Sequence, residues 1–249
     1  MTKNSISVFF PCYNDAATMP SMVLSSILAL RELTDDYEVI VVNDGSPDHV
    51  ATLLAEMQKN YPCLRVVMHE KNQGYGSAIR TGIASATKDL IFYTDGDAQY
   101  DPREIKLLYE KLTDDVDMVN GYKIRRGDPW YRLFIGKLYH WTVKLMFSLP
   151  VRDVDCDFRL MRRRIFDTVK LESNSGVICV ELMRKISRGG FKISEAPVHH
   201  YHRAHGKSQF FNLSRVFAVG VNLVGLWWKL VMRKERTLSS AKKPRVGIL

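Results

Sequence analysis

Short apolar runs alternate with longer stretches of helical spacing through the first hundred residues. Ile6–Phe10, Glu38–Val42, Leu64–Met68 and Asp89–Tyr93 are short and rich in β-branched and aromatic side chains, the pattern of buried strands. Between the first two, Met22, Val23, Ile27 and Leu30 recur at helical spacing within Met19–Leu33, and further helices are predicted over about His49–Asn60 and from Gly74 to about Ala86. Alternating strands and helices in this order predict an α/β fold with a mostly parallel central sheet and right-handed crossovers.

The second half is less regular. Asp117–Asn120 reads as a strand followed by a basic loop, Gly121–Arg126, and a short helix is expected to carry Arg162, Arg163 and Arg164. Two apolar helices need an environment. In Phe134–Leu149, Lys137, His140 and Lys144 form one polar stripe, which suits a core helix and an interfacial helix equally. Val216–Met232 is apolar apart from Asn222 and Lys229, carries Trp227–Trp228, and is followed by Arg233, Lys234 and Arg236. It is shorter than the roughly 20 apolar residues of a spanning helix. Paired indoles with flanking cations predict a helix lying in a membrane interface. The chain is therefore divided into a main domain over 1–210, an amphipathic membrane-associated helix over 211–236 and a basic flexible tail over 237–249.

Net charge changes this picture, because +9 on 249 residues points to an anionic partner, and the excess lies in the second half. Nucleic acid is set aside, since neither a base-reading helix nor strands with interleaved exposed aromatics are evident. An anionic membrane surface and a phosphorylated substrate remain. Cys12, Cys63, Cys156 and Cys179 are far apart, which argues against a zinc site or a disulfide framework and fits a reducing compartment. The strand-like run begins at Ile6, leaving no room for a signal peptide, so a cytoplasmic, peripherally membrane-associated protein is expected.

The candidate chemistry centres on Thr94-Asp95-Gly96-Asp97-Ala98-Gln99-Tyr100-Asp101-Pro102. It follows a predicted strand, and open α/β sheets bind ligands at strand C-termini. Asp95, Asp97 and the Gln99 amide form a compact oxygen cluster suited to Mg²⁺ or Mn²⁺, with positions left open for a diphosphate. The plainer reading is a polar turn opening a helix at Pro102, with Asp101 as N-cap and Glu104 completing a capping box; both can hold. Asp44 ends another strand and fits either a nucleotide contact or an Asx turn. Gly74-Tyr75-Gly76 follows the third strand, not the first, and its spacing does not match a dinucleotide fingerprint, so it reads as a small-residue opening for close helix packing. The histidines of Pro197–Phe210 lack partners at metal-ligand spacing, and a strand would separate His199 from His200.

Pro11-x-Tyr13-Asn14-Asp15, Val42-Asn43-Asp44-Gly45-Ser46-x-Asp48, Asn72-x-Gly74-x-Gly76 and the Asp95–Pro102 block, in this order, resemble family 2 glycosyltransferases of the GT-A fold. The similarity extends over roughly residues 5–210 and is strongest to the branch of dolichol-phosphate mannose synthase and polyprenyl-phosphate glycosyltransferases. That resemblance implies a nucleotide site at Pro11, Tyr13, Asp15, Val42 and Asp44, and a metal and diphosphate site at Asp95, Asp97 and Gln99. It places Asp157, in Asp157-Phe158-Arg159-Leu160, beside the reacting carbon of the sugar. Asp155 and Asp157 fall on the same side of an extended segment, which fits either joint action or pairing of one of them with a neighbouring Arg. The resemblance assigns phosphate contacts to Lys123 and Arg132, with Arg125 and Arg126 as further candidates in the same basic stretch, and to Arg203, Lys207 and Ser208 of an Arg-x-x-Gly-x-Ser pattern. Asp97, Asp157 and Arg132 are the implied catalytic set. Asp15 stands where Glu is common and Asn43 where Asp is common, so the base, GDP or UDP, stays open.

The implied reaction moves a hexose, with inversion, from a nucleotide-sugar donor to a polyprenyl phosphate. A phosphate acceptor is already ionised, so Asp157 is expected to orient groups more than to remove a proton. The alternative is transfer to a hydroxyl of a cell-surface glycan, in which Asp157 would be the general base.

Overall fold

A computed structural model describes residues 4–126, 130–203 and 213–233. Among them the strands form one seven-stranded sheet in the order β3-β2-β1-β4-β6-β5-β7. Strands β1 (Ile6–Cys12), β2 (Tyr37–Asn43), β3 (Leu64–Met68) and β4 (Leu90–Thr94) run parallel. Strand β6 (Phe158–Arg162) is antiparallel to both β4 and β5 (Met118–Arg126), and β7 (Ile193–His200) is parallel to β5. Every residue of β1 and β4 is buried, which is why these strands read as continuous apolar runs without alternation.

Alternate residues feed two cores. Val8, Phe10, Val39, Val41 and Phe92 pack against α1 (Met19–Leu33), α2 (Val50–Asn60) and α4 (Ile105–Lys111). Phe9, Ile40, Val42, Ile91 and Tyr93 face α3 (Tyr75–Ser85), α5 (Trp130–Phe147), α6 (Ile165–Thr168), α7 (Ile178–Arg188) and α8 (Leu213–Trp227). The sheet is thus covered on both sides, and the carboxyl ends of β1, β2 and β4 emerge together at one edge.

Three local expectations are corrected. Gly121–Arg126 is not a loop: it prolongs β5, because Tyr122, Lys123 and Ile124 continue the pairing with Pro197, Val198 and His199 of β7. Arg162 closes β6, and the helix starts only at Ile165, after Arg163 and Arg164. Asp101 does cap, accepting from the Arg103 backbone N–H at 3.0 Å, but Glu104 does not complete a capping box. Its carboxylate instead accepts from the backbone N–H of His199 at 2.8 Å and lies 2.6 Å from His199 Nδ1.

The two apolar helices are amphipathic in three dimensions. On α8 and the wider turn after it (Trp228–Met232), Leu223, Leu226 and Leu230 enter the second core, and Arg188 donates to the Leu230 carbonyl at 2.8 Å. Val221, Val224, Trp228 and Met232 recur on the opposite face and are exposed. On α5, Val143 and Phe147 are buried while Trp141 and Leu145 are exposed. Among the described residues no helix is long and apolar enough to cross a membrane.

Candidate active site

The turn after β4 is held rigidly. Gly96 lies close against the first core, where a Cβ would need the Met19 side-chain end, 2.3 Å away, to move, and Thr18 Oγ1 donates to the Gly96 carbonyl at 2.6 Å. The bond from Thr18 ties the backbone between Asp95 and Asp97 to the start of α1. Asp95 Oδ1 accepts from the Tyr75 hydroxyl at 2.7 Å, and Asp97 Oδ1 accepts from the Gln99 backbone N–H at 3.1 Å.

Four carboxylates converge on the cleft. Burial raises the proton affinity of Asp95 well above the usual carboxylate range, and the charges of Asp157, Asp97 and Asp15 raise it further. Asp97 is also raised, chiefly by burial. Burial pushes Asp15 up to about 6, with Asp97 adding to it. Against them stands Arg203, whose Nη2 lies 3.5 Å from Asp15 Oδ1 and 3.6 Å from Asp97 Oδ2. Among the described residues the four carboxylates are accompanied by Arg203 and Arg159, and a divalent cation would fit the remaining negative charge. Among the described residues no three of His, Cys, Asp and Glu gather to enclose a metal by themselves. A cation at Asp95 and Asp97 would therefore keep open positions.

Asp157 is supported from beneath. Its Oδ1 accepts from the Tyr93 hydroxyl at 3.1 Å and from Cys179 Sγ at 3.0 Å, with Arg159 Nη1 at 3.5 Å. Arg159 is wholly buried and also donates to Asn120 Oδ1 at 3.0 Å, to the Val154 carbonyl at 2.6 Å and to the Tyr93 hydroxyl. Asp155, in the turn before β6, feels the charges of Asp157 and Arg159 but has Lys123 and Asp153 as its stronger neighbours. Its carbonyl accepts from Lys123 Nζ at 2.6 Å, and burial lifts its carboxyl to about 6.

Residues 7–170 match the family model described as Glycosyl transferase family 2. The chain belongs to that family. It is 30% identical over 209 residues to an undecaprenyl-phosphate 4-deoxy-4-formamido-L-arabinose transferase of Enterobacter sp. (strain 638), a match covering 83% of this chain and 63% of the relative. The chain thus spans less than two thirds of that relative's length. In three dimensions it is similar to glucosyl-3-phosphoglycerate synthase of Mycobacterium tuberculosis. The complex with Mn²⁺, UDP and glucosyl-3-phosphoglycerate superimposes with a TM-score of 0.68 at 21% identity, covering 90% of this chain and 79% of that one. The complex with Mg²⁺ and UDP gives 0.64 at 21% identity, covering 89% and 80%. These likenesses agree with the GT-A architecture expected from the motifs.

Within this family 2 glycosyltransferase, the expected site residues separate into groups. Asp15, Asp95, Asp97, Asp157 and Arg203 come together as one electrostatically coupled group, with the exposed Tyr13 beside Asp15 through its backbone N–H. Val42 and Asp44 stand behind it: Val42 is fully buried in the second core. Asp44 is buried too, and its carboxylate accepts from the Gln73 and Gly74 backbone N–H groups at 2.9 Å each and from His69 Nδ1 at 2.6 Å. Asp44 therefore holds the segment before α3, and Asp48 supplies the local turn by accepting from the Val50 N–H at 3.2 Å. Pro11 is buried in β1, paired with Val42. The Gln99 amide donates to the Tyr201 carbonyl at 3.2 Å, while Tyr201 N–H donates to the Gln99 carbonyl at 2.8 Å, so Gln99 joins the end of β7 to the turn. Lys123 is not an open cation; besides the Asp155 carbonyl it has Asp153 Oδ1 at 3.9 Å. The side chains of Arg125, Arg126 and Arg132, and all of Lys207 and Ser208, lie outside the described residues.

Five supporting residues were not anticipated: His69, Tyr75, Tyr93, Arg159 and Cys179. Arg159 carried a signal, being the Arg of the Asp-Phe-Arg-Leu block. Buried in the sheet, it braces Asn120, the Val154 carbonyl and Tyr93 and stands 3.5 Å from Asp157.

Proposed function

We propose that this enzyme transfers a hexose from a nucleoside diphosphate sugar to the phosphate of a polyprenol at a membrane surface, inverting the anomeric carbon. The observation that carries the choice of a lipid-borne acceptor is the outward stripe Val221, Val224, Trp228 and Met232, a row of exposed apolar side chains on a helix whose other face is core. Similarity to an undecaprenyl-phosphate sugar transferase supports the same reading. A helix lying in the headgroup region would bring the cleft to a substrate that cannot leave the bilayer.

Asp95 and Asp97 would hold Mg²⁺ or Mn²⁺, which when bound supplies positive charge to the departing diphosphate. Tyr13 and Asp15 would contact the nucleotide. Arg203, already poised between Asp15 and Asp97, would move its charge to phosphate oxygens once these arrive. Asp157, with Oδ1 held by Tyr93 and Cys179, would present its other oxygen to the sugar or acceptor and orient it. Arg132 would meet the acceptor phosphate.

Incubation of the protein with Mn²⁺ and a panel of radiolabelled UDP- and GDP-sugars, with and without polyprenyl phosphate in vesicles, tests this. Label passing into the lipid fraction only when polyprenyl phosphate is present is the expected result. Transfer to a hydrophilic hydroxyl acceptor with none to the lipid would overturn it in favour of glycan modification.

A further inference from the structure

We propose that Tyr75 is a positioning residue of the donor site, a phenol built into the start of α3 to aim the Asp95 carboxylate at a bound cation. The inference rests on reading Asp95 and Asp97 as the metal-binding pair and adds a residue that none of the motif comparisons assigns. Its hydroxyl donates to Asp95 Oδ1 at 2.7 Å, while Oδ2 accepts no hydrogen bond from the described residues, and so restrains the rotation of the carboxylate about its side-chain bond. A ligand oxygen whose neighbour is held by a second hydrogen bond loses less freedom when the metal binds.

The placement of the ring is over-determined. Gly74 has φ of +95°, in the region that favours glycine, and a Cβ there would lie 2.6 Å from the Asn174 carbonyl oxygen. A Cβ on Gly76 would lie 2.4 Å from the Ser173 carbonyl oxygen, and the Gly76 N–H donates to the Asn174 carbonyl at 2.9 Å. Both glycines thus press the opening of α3 against the backbone of residues 173–174. From the other side, Asp44 Oδ2 accepts from the Gly74 N–H at 2.9 Å. Tyr75 sits between these clamps, its ring half-buried against the second core. The segment at 172–173 is itself fixed, because buried Glu181 accepts from the Glu172 N–H at 3.0 Å and the Ser173 N–H at 2.9 Å. The small-residue opening noted in the sequence therefore has a purpose beyond close packing: it delivers one hydroxyl to one carboxylate oxygen.

Tyr75→Phe keeps the ring and removes only the donor. Full-length wild type, Y75F and D95N are titrated with Mn²⁺ in the presence of UDP or GDP. Free Mn²⁺ is followed by electron paramagnetic resonance, and thermal melts with and without Mn²⁺ report both folding and metal-induced stabilisation. Loss of an outer hydrogen bond to a metal ligand typically weakens binding about 10- to 100-fold, and that is the expected rise in half-saturating Mn²⁺ for Y75F. D95N should bind weakest of the three. Equal affinity of wild type and Y75F, with D95N impaired, overturns the role of Tyr75 and leaves the metal site standing. Absence of Mn²⁺ uptake by wild type overturns both.

Discussion

Replacing Asp15 with Asn should make the ligand-free protein more stable near neutral pH and less able to bind its donor. Asp15 follows β1, and its side chain is only 12% exposed. Burial raises its pKa from the ordinary 3.8 to about 6, while the Tyr13 N–H at 3.4 Å and the Arg203 guanidinium offset only part of that effect. The folded value lies above the unfolded one, so folding favours the protonated form. That contribution is complete below about 3.8 and is lost as pH rises through about 6. At pH 7.5 the ionised carboxylate therefore costs the fold at most roughly 3 kcal/mol. Asn retains an oxygen for the Tyr13 N–H and removes the charge, but its amide donors lose water, at about 1 kcal/mol or more. A net gain of about 1–2 kcal/mol at pH 7.5 corresponds to a melting point higher by roughly 2–8 °C for a chain of this size. Melts of wild type and D15N from pH 4 to pH 8 check this. The gap should be small at pH 4 and open through pH 6, and Mn²⁺ with nucleotide should stabilise wild type more than D15N. A gap that does not vary with pH, or a D15N protein less stable at pH 7.5, refutes the reasoning.

Arg132→Ala should lower kcat/KM for polyprenyl phosphate by about 10- to 100-fold, the scale of one charge-assisted hydrogen bond, while the nucleotide Kd stays near wild type. Equal losses in both assays would assign Arg132 to the donor instead. Val224→Glu with Trp228→Glu should leave the melting point nearly unchanged, because both side chains are more than half exposed, yet remove roughly 3 kcal/mol of apolar burial in a bilayer. Sedimentation with anionic liposomes should then fall about 100-fold; unchanged binding would move the anchor to Trp141 and Leu145 on α5. Truncation before α8 is a poorer test, since Leu223, Leu226 and Leu230 belong to the core. Gly76→Ala should lower the urea midpoint by about 1–3 kcal/mol of stability, because the new methyl meets backbone, which cannot swing aside as a side chain would. A wild-type midpoint would show that residues 173–174 yield.

The strand ends and their carboxylates were legible because each is a local pattern: an apolar run, a turn, and acids within five residues. Their partners were not, because those contacts join distant parts of the chain. Tyr75 reaches Asp95 across 20 positions, and Glu104 leaves its own helix for His199 across 95. Glu104 shows how a correct local rule can yield to tertiary structure: the spacing is that of a capping box, but the carboxylate finds a backbone N–H and an imidazole together at the end of β7. The strand continuing through Gly121–Arg126 was concealed differently. Its cations suggested a solvated loop, although Tyr122 and Ile124 alternate with Lys123 at the strand period. Lys123 then neutralises a buried acidic turn rather than facing solvent.

Glu181 and Lys185 show why the second layer matters. Both are almost fully buried on α7, 2.6 Å apart at i and i+4, with no strand end or turn motif to flag them. Removing two charges from water cancels much of what their attraction returns, so stability alone explains little of such a pair. Its hydrogen bonds explain more: Glu181 holds the N–H groups of residues 172 and 173, and Lys185 holds the carbonyl of Lys170 at 2.6 Å. The segment so fixed is the one against which Gly74 and Gly76 are pressed. The contrast between the layers is therefore physical. The polar groups around the site are tied by hydrogen bonds to one another and to backbone, while Asp15, Asp95 and Asp97 raise one another's proton affinity, with Arg203 beside Asp15 and Asp97 and Arg159 beside Asp157. A surround tied in this way keeps Asp15, Asp95 and Asp97 close together, and under the proposed function a cation with a diphosphate donor would relieve their mutual repulsion.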